Sequence, residues 1–315
     1  MVNDHMGKDK KDILKILITG GAGFIGSAVI RELQAESHEI YVVDNLSFGD
    51  RAFISIPDDC FIHEDIRNRE RILAIFDEIQ PDWVIHLAAI HFIPYCNQNP
   101  FESSNINVQG TINVLDAVER TSSVKKVFYA STAAVYPIVD SAIREDHIVD
   151  PLDVYGLSKL VGEHLMNELH LKTGVTSVIC RFFNAFGPNE TNPHLIPEIQ
   201  DQINAGKREI SLGNLEPKRD FIHTYDMARA VRMLMEKVDR GIEIFNLGRG
   251  IEYSVVEIVE AFSRQLGEEV TIVQDPDRMR KTDRLHLLAD VSKLKDYTGW
   301  EPEWGIDEGI KTLIQ

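Results

Sequence analysis

The sequence predicts an α/β protein, a doubly wound parallel sheet carrying a smaller C-terminal α/β lobe. Three observations predict it. Short apolar, β-branched runs alternate with amphipathic stretches through the first half, the pattern of strands crossed over by helices. A glycine-rich turn joins the first strand to the first helix. Beyond about residue 185 the texture changes: Pro188, Pro193 and Pro197 fall close together, ahead of another helix pattern and a polar loop at 213–219.

Residues 13–19 form the first apolar run, and 25–34 the first amphipathic stretch. A short apolar run at 40–43 reads as the second strand. Helical spacing at 69–79 precedes a buried strand at 83–87. The stretch 108–118 reads as a helix and 126–130 as a strand. Right-handed crossovers fold such an alternation into one sheet with helices on both faces. No internal repeat or low-complexity tract interrupts it. Residues 1–12 are polar and Lys-rich, without the apolar core of a signal peptide, and read as a disordered tail.

Composition narrows the class. A chain of 315 residues with 43% apolar content can bury a large core. No stretch approaches the roughly 18 continuous apolar residues of a membrane span. Thirty-three basic residues against 50 acidic ones leave a formal charge of −17. Such a surface repels nucleic acid and anionic membranes, so neither is expected as a partner. An anionic substrate would need a local basic pocket. The three cysteines, Cys60, Cys96 and Cys180, form no CxxC pair. They suit a reducing cytoplasm and suggest neither disulfides nor a metal site.

The strongest local signal is Thr19-Gly20-Gly21-Ala22-Gly23-Phe24-Ile25-Gly26. Gly20, Gly23 and Gly26 permit a tight turn and close backbone approach to a pyrophosphate. The helix start at Phe24 and Ile25 supplies free N–H groups. Eighteen residues after Gly26, the second strand ends in Val43-Asp44-Asn45. A carboxylate there holds adenosine ribose hydroxyls and repels a 2′-phosphate, so the expected cofactor is NAD. Asp65 and Ile66 close a further strand, within reach of an adenine.

Tyr155-Gly156-Leu157-Ser158-Lys159 sets Tyr155 and Lys159 on one helix face. A cationic Lys159 is expected to lower the phenol pKa of Tyr155, fitting it to take a hydroxyl proton while hydride leaves the same carbon. Ala130-Ser131-Thr132 ends a strand 23 residues earlier and offers a hydroxyl for the reacting oxygen.

These residues together resemble the extended short-chain dehydrogenase/reductase family, the NAD-dependent nucleotide-sugar epimerases and dehydratases. The resemblance covers residues 13–314. It is carried by the glycine motif, Asp44-Asn45, His86-Leu87-Ala88-Ala89, Asn107-Val108-Gln109-Gly110-Thr111, Ser131 to Tyr136, and Tyr155 to Lys159. Arg181-Phe182-Phe183-Asn184, Arg219 to His223 and Asn246-Leu247-Gly248 continue it.

The resemblance implies a catalytic set of Thr132, Tyr155 and Lys159, with Asn107 near the cofactor. It places Leu87, Ala88, Ala89, Ala130, Ser131 and Phe182 along the cofactor. Asn184, His194 and Leu195 would meet the nucleotide diphosphate, whose phosphates Arg219 and Arg280 would neutralise. The implied division is a Rossmann NAD-binding domain over 13–184 plus parts of about 220–250. A nucleotide-sugar-binding lobe takes 185–219 and about 251–315. Stretches 106–118 and 157–169 resemble the helices of a four-helix homodimer interface.

The family runs several reactions from one opening oxidation. Similar dehydratases carry Asp-Glu after the catalytic Thr, and the decarboxylases usually carry Glu at the second position; here these are Ala133 and Ala134. Methyl groups supply neither acid nor base. Asp44 disfavours the NADPH-preferring reductases. A C4 epimerase is the expected activity, with dehydratase, decarboxylase and reductase as alternatives and a non-catalytic NAD sensor as a reading of another class. UDP is the preferred nucleotide; residues 213–220 resemble a loop of GDP-sugar enzymes, which keeps GDP open. The segment Ile90-His91-Phe92-Ile93-Pro94-Tyr95-Cys96 departs from the family, with Pro94 replacing its usual Arg. His91 there faces the sugar, as a pocket wall or a further acid or base. Pro137 replaces a usual Gly.

Overall fold

The computed structural model describes residues 13–279 and 284–314. The tail expected at 1–12 and the expected phosphate ligand Arg280 lie outside them. The first half runs β1 (Lys15–Thr19), α1 (Phe24–Gln34), β2 (Glu39–Asp44), β3 (Phe61–His63), α2 (Arg69–Ile79) and β4 (Trp83–His86). Then come α3 (Ile93–Gln98), α4 (Pro100–Ser104), a π-helical stretch at Asn105–Gly110, α5 (Thr111–Arg120), β5 (Lys126–Thr132), α6 (Val154–Thr173) and β6 (Thr176–Phe182). The second half runs β7 (Asn184–Phe186), α7 (Leu195–Asn204), β8 (Glu209–Leu212), β9 (Lys218–His223), α8 (Thr224–Lys237) and β10 (Ile242–Leu247). It closes with β11 (Glu252–Ser254), α9 (Val255–Leu266), β12 (Thr271–Gln274), α10 (Ser292–Thr298) and α11 (Ile306–Lys311).

The large sheet has the order β10-β6-β5-β4-β1-β2-β3, and every pairing in it is parallel. Strands β4, β5 and β6 are buried along their whole length, as a sheet covered on both faces requires. Alternation along β1 separates the two cores. Ile16 and Ile18 face α1 and α8, packing with Ile30, Phe128 and Leu234. Leu17 faces α2, α5 and α6, packing with Ile75, Val114 and Met166.

The chain leaves this sheet after β6, builds part of a second lobe, and returns to place β10 beside β6. The second lobe holds a three-stranded sheet, β11-β9-β7, and a two-stranded one, β12-β8. Phe186, Ile199, Phe221, Ile258 and Phe262 form its core. Two expectations shift. The predicted loop at 213–219 ends early, because Lys218 and Arg219 pair with Ser254 and Tyr253 as the start of β9. The helix predicted from 108 begins with π-helical geometry and becomes α-helical only at Thr111.

Candidate active site

The C-terminal ends of β1, β2, β4 and β5 converge on one crevice, where an open parallel sheet takes its ligands. The glycine turn lies at its floor. Gly20 has φ +74°, and a Cβ on it would press to 2.7 Å from the Ala88 amide nitrogen; a Cβ on Gly26 would overlap the Gly20 carbonyl. These two glycines close the turn against β4 and α1. Gly23 is the N-cap of α1 and provides no side-chain cap, so the first N–H groups at Phe24 and Ile25 point into the crevice end without one. A Cβ on Gly23 would meet only the Gly20 carbonyl at 3.3 Å, so it marks a space left for a ligand backbone rather than a packing constraint.

Asp44 ends β2 at 9% exposure, and burial raises its pKa. It accepts from the Ala22 amide at 2.9 Å and the Leu46 amide at 2.8 Å, which ties the carboxylate to the glycine turn. This cradle fits a dinucleotide: amides for a pyrophosphate and a fixed carboxylate for ribose hydroxyls. Asp65 is more committed. It takes a bidentate contact from Arg67 (2.9 and 2.7 Å) and one from Asn45 (2.8 Å), and its pKa falls to about 2 through Arg67. Ile66 is buried in the core. Asp65 is thus held in place beside Asn45 at the end of the crevice.

His86 links strand ends to helix. Its Nδ1 lies 2.6 Å from the Thr19 hydroxyl and its Nε2 2.9 Å from the Thr111 hydroxyl. Thr111 donates onward to the Asn107 carbonyl at 2.6 Å, so it must accept from His86. The ring is therefore neutral with its proton on Nε2, and Thr19 donates to Nδ1. Burial pushes the His86 pKa down to about 3, in agreement. Asn107 in turn receives the Ile90 amide at 2.8 Å and donates to the Ile90 carbonyl at 2.9 Å and Ser158 at 3.1 Å. It pins the loop after β4, with Leu87, Ala88 and Ala89, to helix α6.

Helix α6 carries Tyr155 and Lys159. It starts on an Asp153 cap, whose carboxylate accepts from the Gly156 amide at 2.7 Å. Gly162 lets it lie on β5, since any Cβ there would overlap the Tyr129 hydroxyl. Lys159 is 3% exposed and sits 4.9 Å from the centre of the Tyr129 ring. Burial pushes its pKa down to about 7. Burial also pushes the Tyr155 phenol up, opposed by the hydrogen-bonding influence of Thr132. The expected lowering of Tyr155 by Lys159 is thus not found in the protein alone, because desolvation outweighs it and Lys159 itself loses charge. Thr132 and Tyr155 are brought together as expected, and the Thr132 hydroxyl also accepts from the Ala134 amide at 3.1 Å.

Ser131 turns the other way, donating to Glu163 at 2.5 Å. Glu163 lies one turn beyond Lys159 on α6 and makes a bidentate pair with Arg181 (2.9 and 2.7 Å), both side chains 5–6% exposed. Arg181 also donates to the Tyr136 hydroxyl, which donates to Asn246, each at 2.8 Å. Sequence reasoning missed Glu163; its spacing of four from Lys159 was the available signal. Ala130 and Phe182 are buried beside this network, Phe182 packing on Phe128.

At the other wall, Asn184 heads β7 opposite Phe221 and Leu195 opens α7. Arg219 donates to the Arg284 carbonyl at 2.7 Å, and Arg284 donates to the Tyr136 and Pro137 carbonyls. Arg219 is thereby joined to the loop that follows Thr132. His91 and His194 stack with ring centres 5.6 Å apart. Asn192 donates to His91 Nε2 at 3.2 Å, and Glu190 lies 3.9 Å from it. Surrounding protein, His194 and Lys159 hold the His91 imidazole below its usual pKa, whereas burial pushes Glu190 up to about 7. Glu190 was not visible in the sequence, because nothing in a Pro- and Asn-rich loop marks one carboxylate among 50 acidic residues.

A sequence profile of the NAD dependent epimerase/dehydratase family matches residues 16–248. A UDP-glucose 4-epimerase of Bacillus subtilis (strain 168) is 34% identical over 94% of this chain and 94% of its own. Among solved structures, a Thermus thermophilus UDP-glucose 4-epimerase in complex with NAD superposes with TM-score 0.86 at 28% identity, covering 95% of this chain and 97% of its own. The Thermotoga maritima UDP-glucose 4-epimerase with UDP-glucose gives 0.87 at 29%, with the same coverage.

Proposed function

The chain belongs to the NAD-dependent epimerase/dehydratase family, and from that premise we propose that it epimerises C4 of a UDP-linked sugar through a transient 4-keto intermediate. The observation that carries this is the meeting of Thr132 with Tyr155, on the same helix as Lys159, beside Ala133 and Ala134. Those alanines leave the site without the acid and base that elimination requires. The GDP reading rests on the 213–220 loop, whereas the relatives named above are UDP-glucose 4-epimerases.

When bound, NAD supplies a hydride acceptor with a positive charge and returns the hydride. The rest falls to side chains of this chain. Tyr155 Oη takes the proton of the sugar hydroxyl, and Thr132 Oγ1 holds that oxygen in line. Lys159, half-charged near neutrality, favours the phenolate. The same Tyr155 returns its proton once the keto sugar has turned over, so no proton or hydride is consumed. Gly20, Gly23 and Gly26 with Phe24 and Ile25 take the pyrophosphate, Asp44 and Asn45 the ribose side. Leu87, Ala88, Ala89 and Phe182 line the nicotinamide. Asn184, Leu195 and Arg219 take the nucleotide diphosphate, and His91 and His194 face the sugar.

Residues 13–184 with about 220–250 form the NAD-binding domain in this reading, and 185–219 with about 251–315 the sugar-nucleotide lobe. Helices α5 and α6 expose Ile112 and Leu157 and form a homodimer interface. No helix among the described residues is long and apolar enough to cross a membrane, and the cysteine usage suits the cytoplasm.

A proton NMR time course with NAD and UDP-sugars tests the reaction. A C4 epimer appearing without reduced cofactor is the expected result; a 6-deoxy-4-keto sugar, or carbon dioxide release, would sink it. Tyr155→Phe should keep NAD affinity and lower turnover about 10²–10⁴-fold.

A further inference from the structure

We propose that His91, Glu190 and His194 form a binding site for a divalent transition metal of the zinc class at the sugar end of the cleft. Each offers one donor atom, and the three atoms lie within 4.8 Å of one another. The Glu190 side chain is only 6% exposed, and among the described residues no Lys or Arg pairs with it. Its neighbours are the Asn192 backbone amide (2.9 Å), the Asn192 side-chain amide (3.5 Å) and His91 at 3.9 Å. A carboxylate taken out of water keeps its charge only with a cation close by. Here it faces two imidazoles, and Asn192 Nδ2 lies 3.2 Å from His91 Nε2, a contact that an ion at that nitrogen would displace.

Two imidazoles and one carboxylate are a zinc-type donor set that leaves a fourth position open for water or a substrate oxygen. Magnesium and calcium prefer all-oxygen sets. Donor atoms around a tetrahedral zinc lie about 3.3–3.4 Å apart, so side-chain rotations suffice to close the site. The ligands are held on anchored backbone. Asn189, at φ +69°, donates to Ser27 at 3.2 Å, and Thr191 donates to the Phe48 carbonyl at 2.8 Å. His194 is the N-cap residue of α7. The bound ion would clasp the loop after β4 to the loop after β7. The cysteine pattern gave no hint of it, because the set contains no cysteine.

The full chain, stripped with a chelator and passed through gel filtration, is titrated with Co²⁺ and Zn²⁺ and its metal content measured. One ion per chain is expected, with the strong visible absorption of four-coordinate cobalt. Glu190→Gln and His194→Ala should each weaken binding at least about 100-fold. Paramagnetically shifted imidazole N–H signals from two histidines in the cobalt-loaded wild type give a readout that needs no variant. Failure to retain stoichiometric metal, or retention undiminished by both ligand substitutions, would overturn the assignment.

Discussion

Glu163 and Glu190 are equally buried, each side chain 6% exposed, and they keep opposite company. Glu163, beneath the catalytic helix, has a bidentate arginine and a serine hydroxyl. Glu190, at the sugar end of the cleft, has the backbone and side-chain amides of Asn192 and a distant imidazole. Equal burial with unequal pairing separates a carboxylate that builds the scaffold from one kept for something that arrives. The network under α6 locks β5, α6 and β6 together, and so fixes where Tyr155 meets Thr132. The cluster at the sugar end locks nothing comparable.

The contrast can be broken by measuring both sides. Glu163→Ala should cost about 3–5 kcal/mol, because it strands Arg181 in the interior. Glu190→Ala should change stability by less than about 1 kcal/mol. Urea midpoints for the two variants decide this, and equal losses would erase the distinction. A smaller effect sharpens it: His86→Leu takes one partner from each of the Thr19 and Thr111 hydroxyls and should cost about 2–3 kcal/mol.

A further, modest effect has the opposite sign. Lys159 is held near pKa 7 when folded, below its ordinary value. Between that value and its unfolded pKa, the unfolded chain binds the extra proton, so this residue's contribution to stability rises with pH through that window. Lys159→Met should therefore stabilise the protein at neutral pH by about 1–2 kcal/mol. The gain over wild type should shrink as melting curves are taken from pH 7 toward pH 10. A gain constant with pH would show that the side chain is not buried as a base.

The nucleotide floor was legible in the sequence because backbone builds it. Gly20 and Gly26 are required by close approach, and Asp44 by its place at a strand end, and such demands leave a fixed spacing. Tyr155 and Lys159 were legible for the same reason, four apart on one helix. Their charge states were not, since burial depends on what packs over them: Tyr129, Thr132 and the β4 loop. Asp65 shows the limit from another side. Its place after a strand is visible in the sequence, but the ion pair with Arg67, two residues on, is not. Glu190 and His194 join His91 only through the fold, from segments about 100 residues apart. No local pattern records that meeting.

The return of β10 to the large sheet sets an order of events during synthesis. Strand β6 pairs with β5 on one side and with β10 on the other, yet some 60 residues, including 185–219 of the smaller lobe, are translated between β6 and β10. A nascent chain that has emerged only through β6 therefore shows the ribosome exit an open strand edge, buried in the finished fold, with unpaired amides. Until β10 arrives, that edge is open to the matching edge of another copy. Slow translation after residue 182 should favour aggregates joined through β6, a hazard that belongs to the connectivity and not to any residue of the catalytic crevice.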